Sequence, residues 1–179
     1  MITDALVLLE DKYKFSEAIS DMEKYIKLTD SIFYEILRSN DADEKTKKAK
    51  EILERIQQRN LYKLCGQFQP TKKLENSHVS KAAEEIASLS KGRVDPNEIF
   101  VSIVDIHFGK EDQDPVKSVL FYKKNGEITS SIGRDDVSRM LPQTFSEQYV
   151  RVYGKKISTE VDKQIIEDCF EKWRLKYKY

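Results

Sequence analysis

In the first third of the chain, apolar residues recur with the period of a helix. Ile2, Ala5, Leu6, Leu8 and Leu9 predict a helix from Met1 to about Glu10. Ser16 stands where an N-cap belongs, ahead of Ile19, Met22, Tyr25 and Ile26 on one helical face. Thr29-Asp30-Ser31 offers the next cap, for a short helix carrying Ile32, Phe33, Ile36 and Leu37, and Ser39-Asn40-Asp41 signals a loop. From Asp43 to about Gln58 a charged segment buries Ala49, Ile52, Leu53 and Ile56. Its Lys45, Lys47, Lys48 and Lys50 read as a solvated helix face.

The pattern then changes. Tyr62/Leu64 alternating with Lys63/Cys65 predicts a strand leaving that helix. Gln69-Pro70-Thr71-Lys72-Lys73 reads as a linker, and Ser80 to Ser88 as a small helix with Ala82, Ala83, Ile86 and Ala87 on its apolar side. Gly92 and Pro96 break the chain. The β-branched run Ile99 to Ile106 predicts a strand, and Val119 to Lys123 a second, turned at Asn125-Gly126 into Glu127–Ser131. Asp135 to Met140 reads as a short helix stopped by Pro142, and Gln148 to Tyr153 as a half-buried strand. Ser158 is placed to cap a last helix with Val161, Ile165, Ile166, Phe170 and Trp173, running to about Lys176. Helices first and a small antiparallel sheet with flanking helices second predict an α+β fold. The boundaries expected are 1–64 helical, 65–98 a linker with a short helix, and 99–179 an α+β lobe.

Composition narrows the chemistry. The 179 residues carry 31 Lys+Arg against 31 Asp+Glu, a net charge of +0. That balance argues against a strongly basic nucleic-acid binder, while leaving room for local basic patches. The length suits one domain of roughly 100–200 residues or two small ones. No apolar run of ~18 residues predicts a membrane span. MITDALVLLEDKYK has neither the basic region nor the cleavage site of a signal peptide. Cys65 and Cys169 suggest a reducing compartment, with one bridge still open. His78 and His107 have no partner at metal-ligand spacing, so a metal site would need scattered carboxylates. GxxxxGK[ST], GxGxxG and GxSxG are all absent. A Cys–His pair across the fold stays conceivable, beside the simpler reading of buried structural cysteines. The carboxylates show no distinctive pairing, and these residues alone do not predict a self-sufficient enzyme.

Two ordered stretches carry a resemblance. The first runs from Ser20-Asp21-Met22-Glu23 and Lys27 to Leu37 through Arg59-Asn60-Leu61-Tyr62-Lys63 to Gln69-Pro70-Thr71. The second comprises Ile103-Val104-Asp105-Ile106, Val119 to Lys124, Leu141 to Gln148 and Arg151-Val152-Tyr153-Gly154-Lys155-Lys156. Together they resemble the C-terminal part of the SAM-and-HD-domain deoxynucleoside triphosphate triphosphohydrolase family, over nearly the whole chain and in the same order.

The resemblance implies a hydrolase that splits a dNTP into deoxynucleoside and triphosphate. It implies a tetramer, either of this chain with itself or with a full-length paralogue, held by GTP and dNTP with magnesium at allosteric sites. The catalytic metal belongs to an HD domain without counterpart here, so this chain is expected to bind no cofactor by itself and to be inactive alone. A nuclear or cytoplasmic location and a part in innate antiviral defence come with the family. Arg59 and Lys63 match its Arg-Asn-Leu-aromatic-Lys stretch, which reaches the activating nucleotides, and Lys124 matches the second residue after its Phe-Tyr pair. A triphosphate needs several fixed cations, and Arg supplies a bidentate fork. The competing assignment makes Arg59 a helix-dipole partner and Lys63 and Lys124 solvated strand residues. Tyr34, Arg38 and Asn60 fall at expected oligomer contacts, with Arg38 where an aromatic residue is usual, so ordinary surface chemistry stays equally open. The segment between Asp11 and Ser20 is shorter than in the family, and Lys123 replaces a frequent cysteine. Arg59-Asn60-Leu61 also fits a weak cyclin-docking pattern. A stand-alone binding module is the alternative, either a decoy subunit or a single-stranded nucleic-acid binder using Lys176-Tyr177-Lys178-Tyr179.

Overall fold

A computed structural model describes residues 1–122, 124, 126 and 129–177. The chain divides into two compact units, Met1–Tyr62 and Lys63–Tyr179. The fold is α+β, as the sequence predicts.

The first unit is helical: α1 (Ile2–Leu8), α2 (Glu10–Tyr13), α3 (Phe15–Ala18), α4 (Met22–Tyr25), α5 (Ile32–Arg38) and α6 (Glu44–Gln57). Ala5 of α1, Leu9 at the turn between α1 and α2, and Ile36 of α5 pack on Ala49 and Leu53 of α6, forming a small core flanked by Ile52 and Ile56. Asp43 caps α6, its carboxylate accepting the Thr46 N–H at 3.0 Å. Ser16 does not cap a helix. It lies inside α3 and bonds back to Glu10. The cap is Asp21, which accepts the N–H groups of Glu23 and Lys24 at 3.1 and 3.2 Å. The predicted long helix is therefore broken into single turns, and its apolar side stays open, with Ile19 at 75% and Ile26 at 72% exposure.

The second unit is built on a three-stranded antiparallel sheet of order β1–β5–β2, with β1 (Lys63–Phe68), β2 (Ile99–His107) and β5 (Ser146–Gly154). Along β5 the alternation is strict: Gln148, Val150, Val152 and Gly154 point inward. Helices α7 (Asn76–Leu89) and α9 (Glu160–Arg174) close that face with Ile86, Phe170 and Trp173. The segment 65–98 thus contains most of β1 and all of α7, which is longer than the expected helix. The alternation predicted for β1 is shifted by a bulge between Leu64 and Gly66. Gly66 is required there, because a Cβ would overlap the Phe170 ring.

The predicted strand 119–123 shrinks to β3 (Phe121–Tyr122), paired with β4 (Thr129–Ser130) in a separate ribbon. Leu120 and Tyr122 are 66% and 77% exposed, so no buried face extends the strand. The Asn125-Gly126 turn reading, with Glu127 and Ile128, falls partly outside the described residues, as do the readings on Lys123, Lys178 and Tyr179. A short α8 (Arg134–Val137) precedes β5. The cap of α9 is Thr159 rather than Ser158, because Asp162 stands at the third helical position and returns its own bond. Among the described residues no helix is long and apolar enough to cross a membrane.

Candidate functional site

Helix α6 ends in a Schellman motif. The Arg59 N–H donates to the Ile56 carbonyl at 3.0 Å and the Asn60 N–H to the Arg55 carbonyl at 2.8 Å. Arg59 therefore takes the left-handed position, with φ 58°. Glycine is usual there, and an L-residue costs about 1–2 kcal/mol. The Arg59 side chain is exposed and has no carboxylate partner among the described residues. Asn60 is exposed as well, and its backbone completes the cap.

Tyr62 fixes the chain beyond the cap. Its hydroxyl donates to Asp4 of α1 at 2.6 Å, and the Arg55 guanidinium lies 5.7 Å from its ring centre. Burial first, and the Asp4 carboxylate second, hold the phenol well above its ordinary range. The alternation in the sequence gives Tyr62 a strand role and no hint of this anchor, because its partner lies 58 residues away.

Lys63 opens β1 opposite Gly154, in the second unit, with its side chain exposed. Lys124 is exposed in the same unit, on the connection between β3 and β4. On α5, the Arg38 guanidinium folds over the Tyr34 ring, 5.9 Å from its centre. Tyr34 remains 55% exposed, so the pair presents a flat cationic–aromatic surface.

Several other chemistry-bearing groups are engaged within the structure. His78 Nδ1 accepts the Glu75 N–H at 3.3 Å and His107 Nδ1 the Gly109 N–H at 3.0 Å. Cys65 and Cys169 are free thiols, and burial pushes both up. Lys45 pairs with Asp11, and Lys48 with Glu44 at 3.2 Å. Lys176 lies 3.3 Å from Glu85, and Tyr177 packs 4.8 Å from the Trp173 ring. A cavity of about 540 Å³ is lined by Lys117, Arg134 and Phe145 among others. Arg134 is spent on holding the loop: it donates to the Leu141 and Pro142 carbonyls and covers Phe145 at 5.3 Å. No group of three His, Cys, Asp or Glu side chains among the described residues is placed to hold a metal ion.

No family model matches the chain. It is 38% identical over 175 residues to the deoxynucleoside triphosphate triphosphohydrolase SAMHD1 of Homo sapiens, covering 88% of this chain and 28% of that protein. The Gallus gallus protein of the same name is 40% identical over 154 residues, covering 80% of this chain and 25% of the relative. A SAMHD1 homolog of Dictyostelium discoideum is 27% identical over 154 residues, covering 86% of this chain and 29% of the relative. The chain spans about a quarter of the length of these relatives and matches a C-terminal part of them. It is a member of the sequence family formed by the C-terminal part of the SAMHD1 deoxynucleoside triphosphate triphosphohydrolases.

Proposed function

We propose that this chain acts as the C-terminal regulatory and oligomerisation region of a dNTP triphosphohydrolase. Arg59, Lys63 and Lys124 lend positive charge to the phosphates of GTP or dNTP, with magnesium, held between subunits. Tyr34, Arg38 and Asn60 add surface to the tetramer. The observation that carries this reading is the placement of Arg59: an exposed guanidinium without a carboxylate, kept at a left-handed cap that glycine fills at lower cost. A dipole-capping role alone would not require the arginine at that position. Nucleotide and assembly are then coupled by mass action, since a ligand shared by several subunits binds the tetramer better than its parts.

Catalysis belongs to an HD domain and its metal in this reading. The residues described here do not form a site for that metal, so no chemical step is assigned to them. The reading is tested by a chimera in which this chain replaces the C-terminal part of the Homo sapiens relative. Sedimentation with GTP is expected to show nucleotide-driven tetramers, and Lys63→Ala or Lys124→Ala to shift the transition to higher GTP. Assembly indifferent to GTP, or to both substitutions, contradicts the proposal.

For the alternative of a single-stranded nucleic-acid module, the described part of the tail is engaged within the chain. Lys176 is paired with Glu85 and Tyr177 packs on Trp173. A cyclin-docking role for Arg59-Asn60-Leu61 would draw on the same guanidinium, with Leu61 46% exposed beside it.

A further inference from the structure

The end of α7 and the last turns of α9 line a cavity of about 220 Å³ that the nucleotide reading does not use. Ser90, Ile165 and Cys169 supply its more buried lining, and Lys91, Arg93 and Lys172 its exposed cations. One carboxylate, Asp168, shares the lining, and it already accepts from Gln164 Nε2 at 3.0 Å.

The contrast with neighbouring cations is informative. Lys163 is neutralised by Glu160 and Glu167 at 3.5 and 3.1 Å, Arg174 by Glu171 at 2.5 Å and Lys176 by Glu85 at 3.3 Å. Lys91, Arg93 and Lys172 form no ion pair among the described residues. Burial pushes the Cys169 thiol up; Lys172 and Arg93 act against that shift and Asp168 adds to it, so all three charges bear on one sulfur. Lys91 sits in left-handed backbone with φ 55°, which glycine adopts more easily, and Gly92 follows at φ 82°. The turn therefore keeps a lysine where its backbone disfavours one.

Three cations against one carboxylate leave the cavity net positive and favour an anion between them. An arginine fork with flanking ammonium groups suits a tetrahedral oxyanion. A cavity of about 220 Å³ accommodates one phosphate group. We infer that Lys91, Arg93 and Lys172 form a binding site for a single phosphate group, presented as inorganic phosphate or as the end of a small phosphomonoester.

The test titrates the intact chain with inorganic phosphate and, separately, with a nucleoside 5′-monophosphate, against chloride at matched ionic strength. Phosphorus NMR and the thermal midpoint are the readouts. The site predicts saturable binding and a phosphate-dependent rise in midpoint. Arg93→Ala and Lys172→Gln should each weaken binding by about tenfold, the loss of one charge-assisted bond. Lys47→Gln removes the same charge from the first unit and should leave binding unchanged. Binding of both probes identifies the phosphate group itself as the ligand, and binding of inorganic phosphate alone restricts the site to the free ion. Absence of saturation, or equal weakening by Lys47→Gln, overturns the inference, and neither outcome bears on Arg59 or Lys63.

Discussion

In the second unit Phe170 and Trp173 are each 1% exposed, pressed by α9 onto a sheet whose middle strand, β5, alternates its inward residues without a break. In the first unit the buried core is Ala5, Leu9, Ile36, Ala49 and Leu53, with no aromatic residue among them, while Ile19, Met22, Tyr25 and Ile26 lie 58–75% exposed. Both units leave other large apolar side chains exposed, Phe108 at 65% and Met140 at 93% in the second among them, so the difference lies in the cores: aromatic in one, aliphatic in the other. The first unit also carries a strained arginine at φ 58° and a cationic–aromatic pair.

The largest expected effect follows from that difference in cores. Phe170→Ala should destabilise the second unit by about 3–5 kcal/mol, and Leu53→Ala the first by about 2–5 kcal/mol. Trp173 is the one tryptophan of the chain, so its fluorescence in urea reports the second unit. Phe170→Ala should move that transition, whereas Leu53→Ala should instead lower hydrogen-exchange protection in α6. A tryptophan transition moved equally by both would erase the contrast.

Tyr62→Phe comes next. It leaves Asp4 without its phenolic donor and should cost about 1.5 kcal/mol, read as lost amide protection in α1 and at the end of α6. No loss of protection would mean that Tyr62 does not anchor the chain beyond the cap.

A smaller effect concerns acid. The Trp173 indole N–H first, and Lys176 after it, hold the Glu85 carboxyl below its ordinary value of 4.5. A carboxyl depressed in the folded state stabilises fully above that ordinary value and loses its contribution as pH falls through the folded value. Stability of the second unit should therefore decline below pH 4.5, and Glu85→Gln should flatten that decline. An unchanged acid limb in Glu85→Gln would remove Glu85 from the account.

Much of this architecture is legible in the sequence wherever period and burial agree. Helix α6, β2, β5 and α9 lie close to where the apolar pattern puts them, because each buries one regular face. The pattern fails where a local acceptor overrides it. Asp21, in extended backbone, takes two backbone N–H groups and starts a new turn there, so Ile19 to Ile26 do not form one continuous helix. It fails again at Cys65, where a bulge changes the phase, and at Leu120, where no face is available to bury. Arg59 and Lys63 are visible in the sequence as a motif. The left-handed cap of Arg59 and the Tyr62–Asp4 anchor are not, since one depends on a backbone angle and the other on a residue 58 positions away.

The central claim is that Arg59 occupies a position poor for stability because its charge serves a nucleotide. Arg59→Gly separates the two roles, and the GTP activation curve of the chimera, measured beside its thermal midpoint, tests the claim directly. The account predicts an activation curve displaced to at least tenfold higher GTP, consistent with a lost charge-assisted bond, together with α6 stabilised by about 1 kcal/mol. An unchanged activation curve in a variant with the same or higher midpoint would contradict it.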